Sequence, residues 1–264
     1  MPAPAPHADL PPPLQAVLDG YRQGAFLMAA PTPGPTPTPA PTPTWYETDP
    51  RGIIRIDPPA YHIPRRLMRT IRSLRFEVTT DAAFSRVIRA CADPRRPGSW
   101  IDPHIIAIFE ALHTAGLAHS VEAWLPNTQT PASATRAPDA AAEPCEASAS
   151  ASPNPDAILF DHTNRRTLVG GLYGLCIGSI FCGEAMFSRP DLGGRDASKV
   201  CLARTILHLR DQGFTILDTQ MHSQHLAQFG CEEIDRDTYN QILLASRDQP
   251  RPWGTRTPNQ PPNS

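Results

Sequence analysis

At 264 residues the chain can bury a substantial core, but 32 residues are proline, much of it in short tracts, so the folded part is smaller than the length suggests. A formal net charge of −2 excludes a global attraction to nucleic acid and leaves any RNA contact to a local patch. Six cysteines without a CxxC pair fit a reducing compartment. The N-terminus MPAPAPHADL lacks the charged and apolar regions of a leader, and no run approaches membrane-spanning length, so a cytoplasmic protein without a membrane partner is expected.

Residues 1–13 are proline-rich and read as unstructured. Leu14 to Arg22 then spaces Leu14, Val17, Leu18 and Tyr21 at helical intervals, with Gly24 placed to end the helix. The tract PTPGPTPTPAPTPT, residues 31–44, can form neither helix nor ladder and predicts an extended spacer. Trp45 and Tyr46 mark the return to folded structure, and Gly52 to Ile56 reads as a strand. Pro64 suits the first turn of a helix running to about Ser73, along which Arg65, Arg66, Arg69 and Arg72 place four cations. Such a face can be merely solvated; with Arg51, Arg55 and Arg75 flanking it and Asp57 the only acid from Arg51 to Arg75, it reads better as a phosphate-binding patch.

A strand over Phe76 to Thr79 is followed by a helix capped by Asp81 and running through Cys91. Asp102 and Pro103 start another, whose Ile105, Ile108, Phe109 and Leu112 form one apolar stripe before Gly116; His113 beside it reads as a packed residue. Ala118 to Leu125 is a strand. From Pro126 to about Arg166 the chain is rich in Ala, Ser, Pro and Thr, and only Ala157 to Phe160 looks foldable. Leu168 to Arg189 reads as two strands meeting in a glycine-relieved bend and ending in Glu184, Met186, Phe187, Ser188 and Arg189. There follow a helix (Ala197–Gln212), a strand (Phe214–Thr219), a helix (Ser223–Phe229), a strand (Cys231–Ile234), a helix (Thr238–Ser246) and a polar tail. This alternation defines an α/β or α+β domain.

By residue chemistry alone the candidate sites stay open. Glu184 and Arg189 beside Met186 suit a substrate pocket, yet could be a structural ion pair. Asp218 and Gln220, two apart on one strand, project from the same face with Thr219 opposite; alone, such a pair is more often a structural hydrogen bond. His222, His225 and Cys231 invite a zinc reading, but H-x-x-H without a second ligand pair does not support one, and no metal is expected. No GxxxxGK[ST] phosphate loop is present.

Taken in order, YRQGAF (Tyr21 to Phe26), DPRGII (Asp49 to Ile54), SWI (Ser99 to Ile101), HSVEAW (His119 to Trp124), the central strands, DASK (Asp196 to Lys199) and ILDTQMHSQHLAQFGCEEI (Ile216 to Ile234) resemble the leucyl/phenylalanyl-tRNA protein transferases. The resemblance covers roughly residues 14–28, 45–124 and 167–246. It implies an α+β fold with a GNAT-like mixed sheet and flanking helices, preceded by a small N-terminal domain. The domain boundaries it suggests are 1–52 (including the linker 31–44), 53–248 with the insertion at about 126–166, and a tail over 249–264.

The activity implied is transfer of Leu or Phe, with Met as a further donor, from aminoacyl-tRNA to the α-amine of proteins beginning with Arg or Lys. The product would be a destabilising N-terminus for N-degron degradation. No cofactor is needed, because the ester is already activated, and a monomer is expected. Matched to the family's D-x-Q, Asp218 would orient or polarise Gln220, whose carbonyl oxygen would receive the amine proton. Glu184 would bind the acceptor's cationic side chain, and Met186 and Phe181 would wall the aminoacyl pocket. Trp45 and Trp100 would lie near the tRNA 3′ adenosine, and Arg65, Arg66, Arg69 and Arg72 would meet tRNA phosphates.

Ala185 replaces the serine common in the family after the glutamate, Leu27 replaces a proline, and Pro190 to Arg195 lengthens the loop before ASK. Two rival functions are a GNAT-type acetyltransferase using acetyl-CoA, which would want a glycine-rich loop where this chain has DASK, and a non-catalytic aminoacyl-tRNA-binding module, which would not need D-x-Q.

Overall fold

A computed structural model describes residues 10–29, 43–56, 60–96, 100–126 and 156–254. Most of the proline spacer, most of the Ala/Ser/Pro-rich insertion and the end of the tail lie outside the described residues. Helix α1 (Pro12–Tyr21) leads into β1 (Phe26–Ala29), which pairs antiparallel with β2 (Pro43–Tyr46) as a separate two-stranded sheet. The last two residues of the predicted spacer, Pro43 and Thr44, are thus strand residues.

The main sheet is built from β3 (Arg51–Arg55), β4 (Glu77–Thr80), β5 (Ala118–Pro126), β6 (Phe160–Asp161), β7 (Arg166–Ile177), β8 (Ile180–Ser188), β9 (Ile216–Gln220) and β10 (Glu232–Ile234). Their order is β10-β3-β9-β8-β7-β5-β4, with β6 paired to β7. All pairs are antiparallel except β8 with β9. This mixed sheet with helices on both faces is the α+β architecture expected. The central hairpin is as the sequence implies, β7 turning at Gly178 and Ser179 into β8.

Alternation along β7, interrupted by a bulge at Val169, divides the core between the two faces. Leu168, Tyr173 and Leu175 face α1, α3 (Phe84–Cys91), α4 (Pro103–Thr114) and α7 (Arg236–Ser246), whereas Val169 and Leu172 face α2 (Arg65–Arg72) and α5 (Ala197–Asp211). A short helix, α6 (Gln224–Ala227), follows β9. Asp102 caps α4 as expected, its carboxylate accepting the Ile105 N–H at 2.8 Å. His113 stacks on Phe84 with ring centroids 4.3 Å apart and meets the Ala118 carbonyl, a packing role.

Two sequence expectations are corrected. Asp81 does not cap α3, which begins at Phe84 behind Ala83. With φ at 56°, Asp81 turns its carboxylate to accept the Ser120 N–H at 2.8 Å and to meet His119 Nδ1 at 2.8 Å. The tail is not wholly polar either. Trp253 is only 7% exposed and stacks between His119 and Phe181, at centroid distances of 4.6 and 5.0 Å, so the segment after α7 is fixed to the sheet.

Candidate active site

The site forms where the parallel ladder between β8 and β9 lapses. The two strands pair from Ile180 with Ile216 to Cys182 with Asp218, and just beyond that point each shifts register against its other neighbour. On β8, Tyr173 faces Ala185 and Gly174 faces Gly183, which leaves Glu184 as the extra residue of a bulge. On β9, Gly52 faces Gln220 and Ile53 faces Asp218, which leaves Thr219 extra. Paired bulges re-aim Glu184 and Gln220 toward each other, and the Gln220 Nε2 amide donates to Glu184 Oε1 at 3.2 Å. The simple alternation read from the sequence is therefore broken at Thr219. Gln220 itself sits at φ 62°, at the centre of a three-residue turn closed by Met221 N–H to Thr219 C=O at 2.6 Å.

Asp218 is fully buried and its carboxylate is surrounded by donors. Arg51 Nε and Nη2 approach at 2.9 and 2.7 Å, the Tyr239 hydroxyl at 2.8 Å, and the Gln220 backbone N–H at 2.9 Å. Asp218 therefore holds Gln220 by its backbone. Burial alone would lower the Arg51 pKa, but the charge and hydrogen bonds of Asp218 outweigh it and raise the pKa further. The guanidinium also donates to the Gly24 carbonyl at 2.9 Å and lies between the rings of Phe26 and Tyr239, 5.0 and 4.5 Å from their centroids.

Arg51 is 2% exposed and so is not part of the basic surface to which the sequence reading attached it. Its neighbour Arg55 is bound to Glu232 at 2.5 Å. Arg51, Tyr239 and Tyr21 escaped sequence reasoning as site residues. The signals available were the words DPRGII and YRQGAF, which contain two of them without saying what they face.

Burial pushes the Glu184 carboxyl up to about 8, against the pull of the Gln220 amide and the nearby Tyr21 hydroxyl. Its second oxygen is buried with no hydrogen-bond partner among the described residues. Arg189 is not its partner: that guanidinium binds Asp156 and Asp191, each at 2.6 Å. Beside Glu184 lies a cavity of about 150 Å³ with Leu172, Met186, Leu202, Leu217 and Leu226 as apolar walls, Gly183 and Ala185 on β8, and Thr219 at its edge.

Met186 lines this cavity. Phe181 does not: it is fully buried one step deeper, against Trp253, and the cavity lining excludes it.

Trp45 is 41% exposed and meets Tyr21 edge to face at 6.0 Å. The outer edge of its indole lies against Gly20, where a Cβ would come within 2.2 Å of the ring. Trp100 is half-buried at the margin of the same core, its carbonyl accepting the Ala29 N–H at 3.1 Å. Arg65, Arg66, Arg69 and Arg72 are all exposed and form no ion pair among the described residues, while Leu67 and Ile71 bury the other face of α2. An open cleft of about 410 Å³ beside α2 adds Arg195 and Lys199 to Arg66. Among the described residues no three His, Cys, Asp or Glu side chains converge as a metal site, and no helix is long and apolar enough to cross a membrane.

An apolar cavity lined on one side by a buried carboxyl, which itself accepts from the amide of a constrained turn, and a cationic helix nearby suit a group-transfer enzyme acting on a charged donor. The family model described as leucyl/phenylalanyl-tRNA protein transferase matches residues 54–130 and 157–244. Proteins named leucyl/phenylalanyl-tRNA--protein transferase are similar over nearly the whole chain. That of Paramagnetospirillum magneticum is 38% identical over 86% of this chain and 85% of its own length. Those of Herpetosiphon aurantiacus and Gloeobacter violaceus are each 36% identical over 87% of this chain, covering 92% and 91% of their own lengths. The chain belongs to this family of aminoacyltransferases.

Proposed function

We propose that the protein transfers Leu or Phe, with Met as a further donor, from aminoacyl-tRNA to the α-amine of proteins whose first residue is Arg or Lys, making an N-terminus that marks them for degradation. The observation that carries this reading is the position of Glu184, which lines the apolar cavity and accepts the Gln220 side-chain amide at 3.2 Å. In the reaction the amine nitrogen attacks the ester carbonyl carbon. A C–N bond forms, the bond to the ribose oxygen breaks, and one proton passes overall from the amine to that oxygen. No second activation is required, so no cofactor is assigned.

The donor's side chain fits the cavity faced by Leu172, Met186, Leu202, Leu217 and Leu226; the flexible thioether of Met186 suits a space taking both branched and aromatic groups. Because the Gln220 amide nitrogen is committed to Glu184, its carbonyl oxygen remains to accept a hydrogen bond from the attacking amine. Asp218 acts on the chemistry as a positioning residue through the Gln220 backbone. The unpartnered oxygen of Glu184 is the group for the acceptor's cation, whose arrival favours the ionised carboxylate. Trp45 offers an open aromatic face to the terminal adenosine of the tRNA, with Trp100 assigned to the same region. The arginines of α2 meet its phosphates.

The test is incubation of the protein with labelled Leu-tRNA or Phe-tRNA and matched peptides beginning in Arg, Lys, Ala or Glu. Label should move to the Arg and Lys peptides. Transfer indifferent to the first residue would overturn the role of Glu184. No transfer from tRNA, with acetyl transfer from acetyl-CoA, would overturn the whole reading.

A further inference from the structure

The segment DPRGII holds no residue assigned to either proposed substrate, yet it runs beside the strained turn at Gln220. Three residues of the segment 48–52 touch that turn from different sides. The Thr48 hydroxyl donates to the Gln220 carbonyl at 2.8 Å. Arg51 grips Asp218 with two nitrogens, and Asp218 in turn accepts the Gln220 N–H. Gly52 lies opposite Gln220 in the β3–β9 ladder, and a Cβ there would stand 2.7 Å from the His222 nitrogen and the Met221 carbonyl carbon, inside any real contact distance. Both backbone polar groups of Gln220 are therefore committed to this assembly, and the chain leaving it passes over bare glycine.

A non-glycine residue at positive φ costs of order 1 to 3 kcal/mol and persists only where its surroundings over-determine it. Here the surroundings are identifiable, and they converge on the one residue whose side chain reaches Glu184. We infer that Thr48, Arg51 and Gly52 are positioning residues of the transfer reaction: they form a cradle that holds the Gln220 turn at the geometry in which its side-chain oxygen meets the acceptor amine. This rests on the role proposed for Gln220. None of the three is assigned a contact with either substrate, so the loss expected from disturbing them falls on the rate of the bound complex and not on the binding of either substrate.

The experiment measures single-turnover transfer at saturating Phe-tRNA and Arg-peptide, and the half-saturating concentration of each, for Thr48→Val, Arg51→Lys and Gly52→Ala, alone and combined with Gln220→Ala. Thermal unfolding is followed for every variant. Each cradle variant is expected to slow the saturated step, Arg51→Lys and Gly52→Ala by about 10- to 100-fold, while half-saturating concentrations stay within about twofold. In the Gln220→Ala background the same changes should cost nothing further, because the turn they hold no longer carries the amide.

If Gln220→Ala is slow but the cradle changes still cost their full factor within it, the cradle is overturned and the role of Gln220 stands. If Gln220→Ala transfers at the ordinary rate, that role fails and takes the cradle with it. Thr48→Val removes only a half-buried hydroxyl, so the comparison survives even if Arg51→Lys does not fold.

Discussion

Replacing Asp218 by alanine separates stability from chemistry in this site. The change leaves the Arg51 guanidinium at 2% exposure, with the Gly24 carbonyl at 2.9 Å and the Tyr239 hydroxyl at 3.4 Å as its remaining oxygen contacts. Removing one member of a buried ion pair typically costs about 3 to 5 kcal/mol, because the other charge stays desolvated without compensation. Against a total stability of roughly 5 to 15 kcal/mol that is a large fraction. At about 2 to 4 °C per kcal/mol for a protein of this size, the melting temperature should fall by roughly 6 to 20 °C.

Circular dichroism melts and urea titrations measure it directly. A double change, Arg51→Met with Asp218→Leu, removes both charges and should recover most of the stability, since well-packed apolar replacements of buried pairs are often neutral or better. It should not recover transfer, because the Gln220 N–H then lacks the oxygen that pins it. A melting temperature for Asp218→Ala within about 2 °C of the parent, or a double variant as unstable as the single, would refute this account of the pair.

Three further outcomes are expected. Arg65, Arg69 and Arg72 changed together to Ala should weaken tRNA binding and flatten its dependence on log salt by about one unit for each phosphate no longer neutralised; an unchanged slope in filter-binding titrations would remove α2 from the tRNA surface. Glu184 keeps its proton in the fold up to about pH 8, whereas the unfolded chain releases it near 4.5, so the folded state holds more protons across that window and stability falls as pH rises through it. Urea midpoints of Glu184→Gln should lack this decline, and a parent midpoint that rises between about pH 5.5 and 8 relative to Glu184→Gln would contradict the assignment. Trp253→Ala, emptying a site between His119, Phe181 and His208, should cost about 3 to 5 kcal/mol in the same titrations, and a cost below about 1 would mean that the segment after α7 contributes no packing.

The elements whose period is set by local packing are legible from the sequence: the stripe of Ile105, Phe109 and Leu112 on α4, and the two strands either side of Gly178. Glu184, Met186, Asp218 and Gln220 stand out by residue chemistry only as open candidates, and the roles expected of them rest on the resemblance of the words that hold them to the transferases. What cannot be read is what depends on partners far along the chain. A lone arginine in DPRGII looks like its charged neighbours, and nothing local says that it faces an aspartate 167 positions away. Bulges at Glu184 and Thr219 leave no trace in hydrophobic alternation, since they are properties of two strands in register and not of either alone. The neighbour of Phe181 is unreadable for the same reason: its branched and aromatic surroundings say that it is buried, but not that it packs against Trp253. Trp253 gives no signal because a single aromatic within polar, proline-rich sequence carries no periodicity.

Strand β3 is made early in synthesis and sits between β9 and β10, both of which come from the last part of the chain. At roughly 5 to 20 residues per second a ribosome needs about 10 to 40 s to travel from Arg51 to Asp218 and on to β10, and until β9 is made β3 has neither ladder partner. A short apolar strand with two open edges invites pairing with other chains. Arg51 at its start is then an unneutralised charge, which opposes such association until Asp218 arrives to claim it. Nascent chains carrying an apolar residue at position 51 should therefore aggregate more readily, by light scattering during synthesis, than their final stability would suggest.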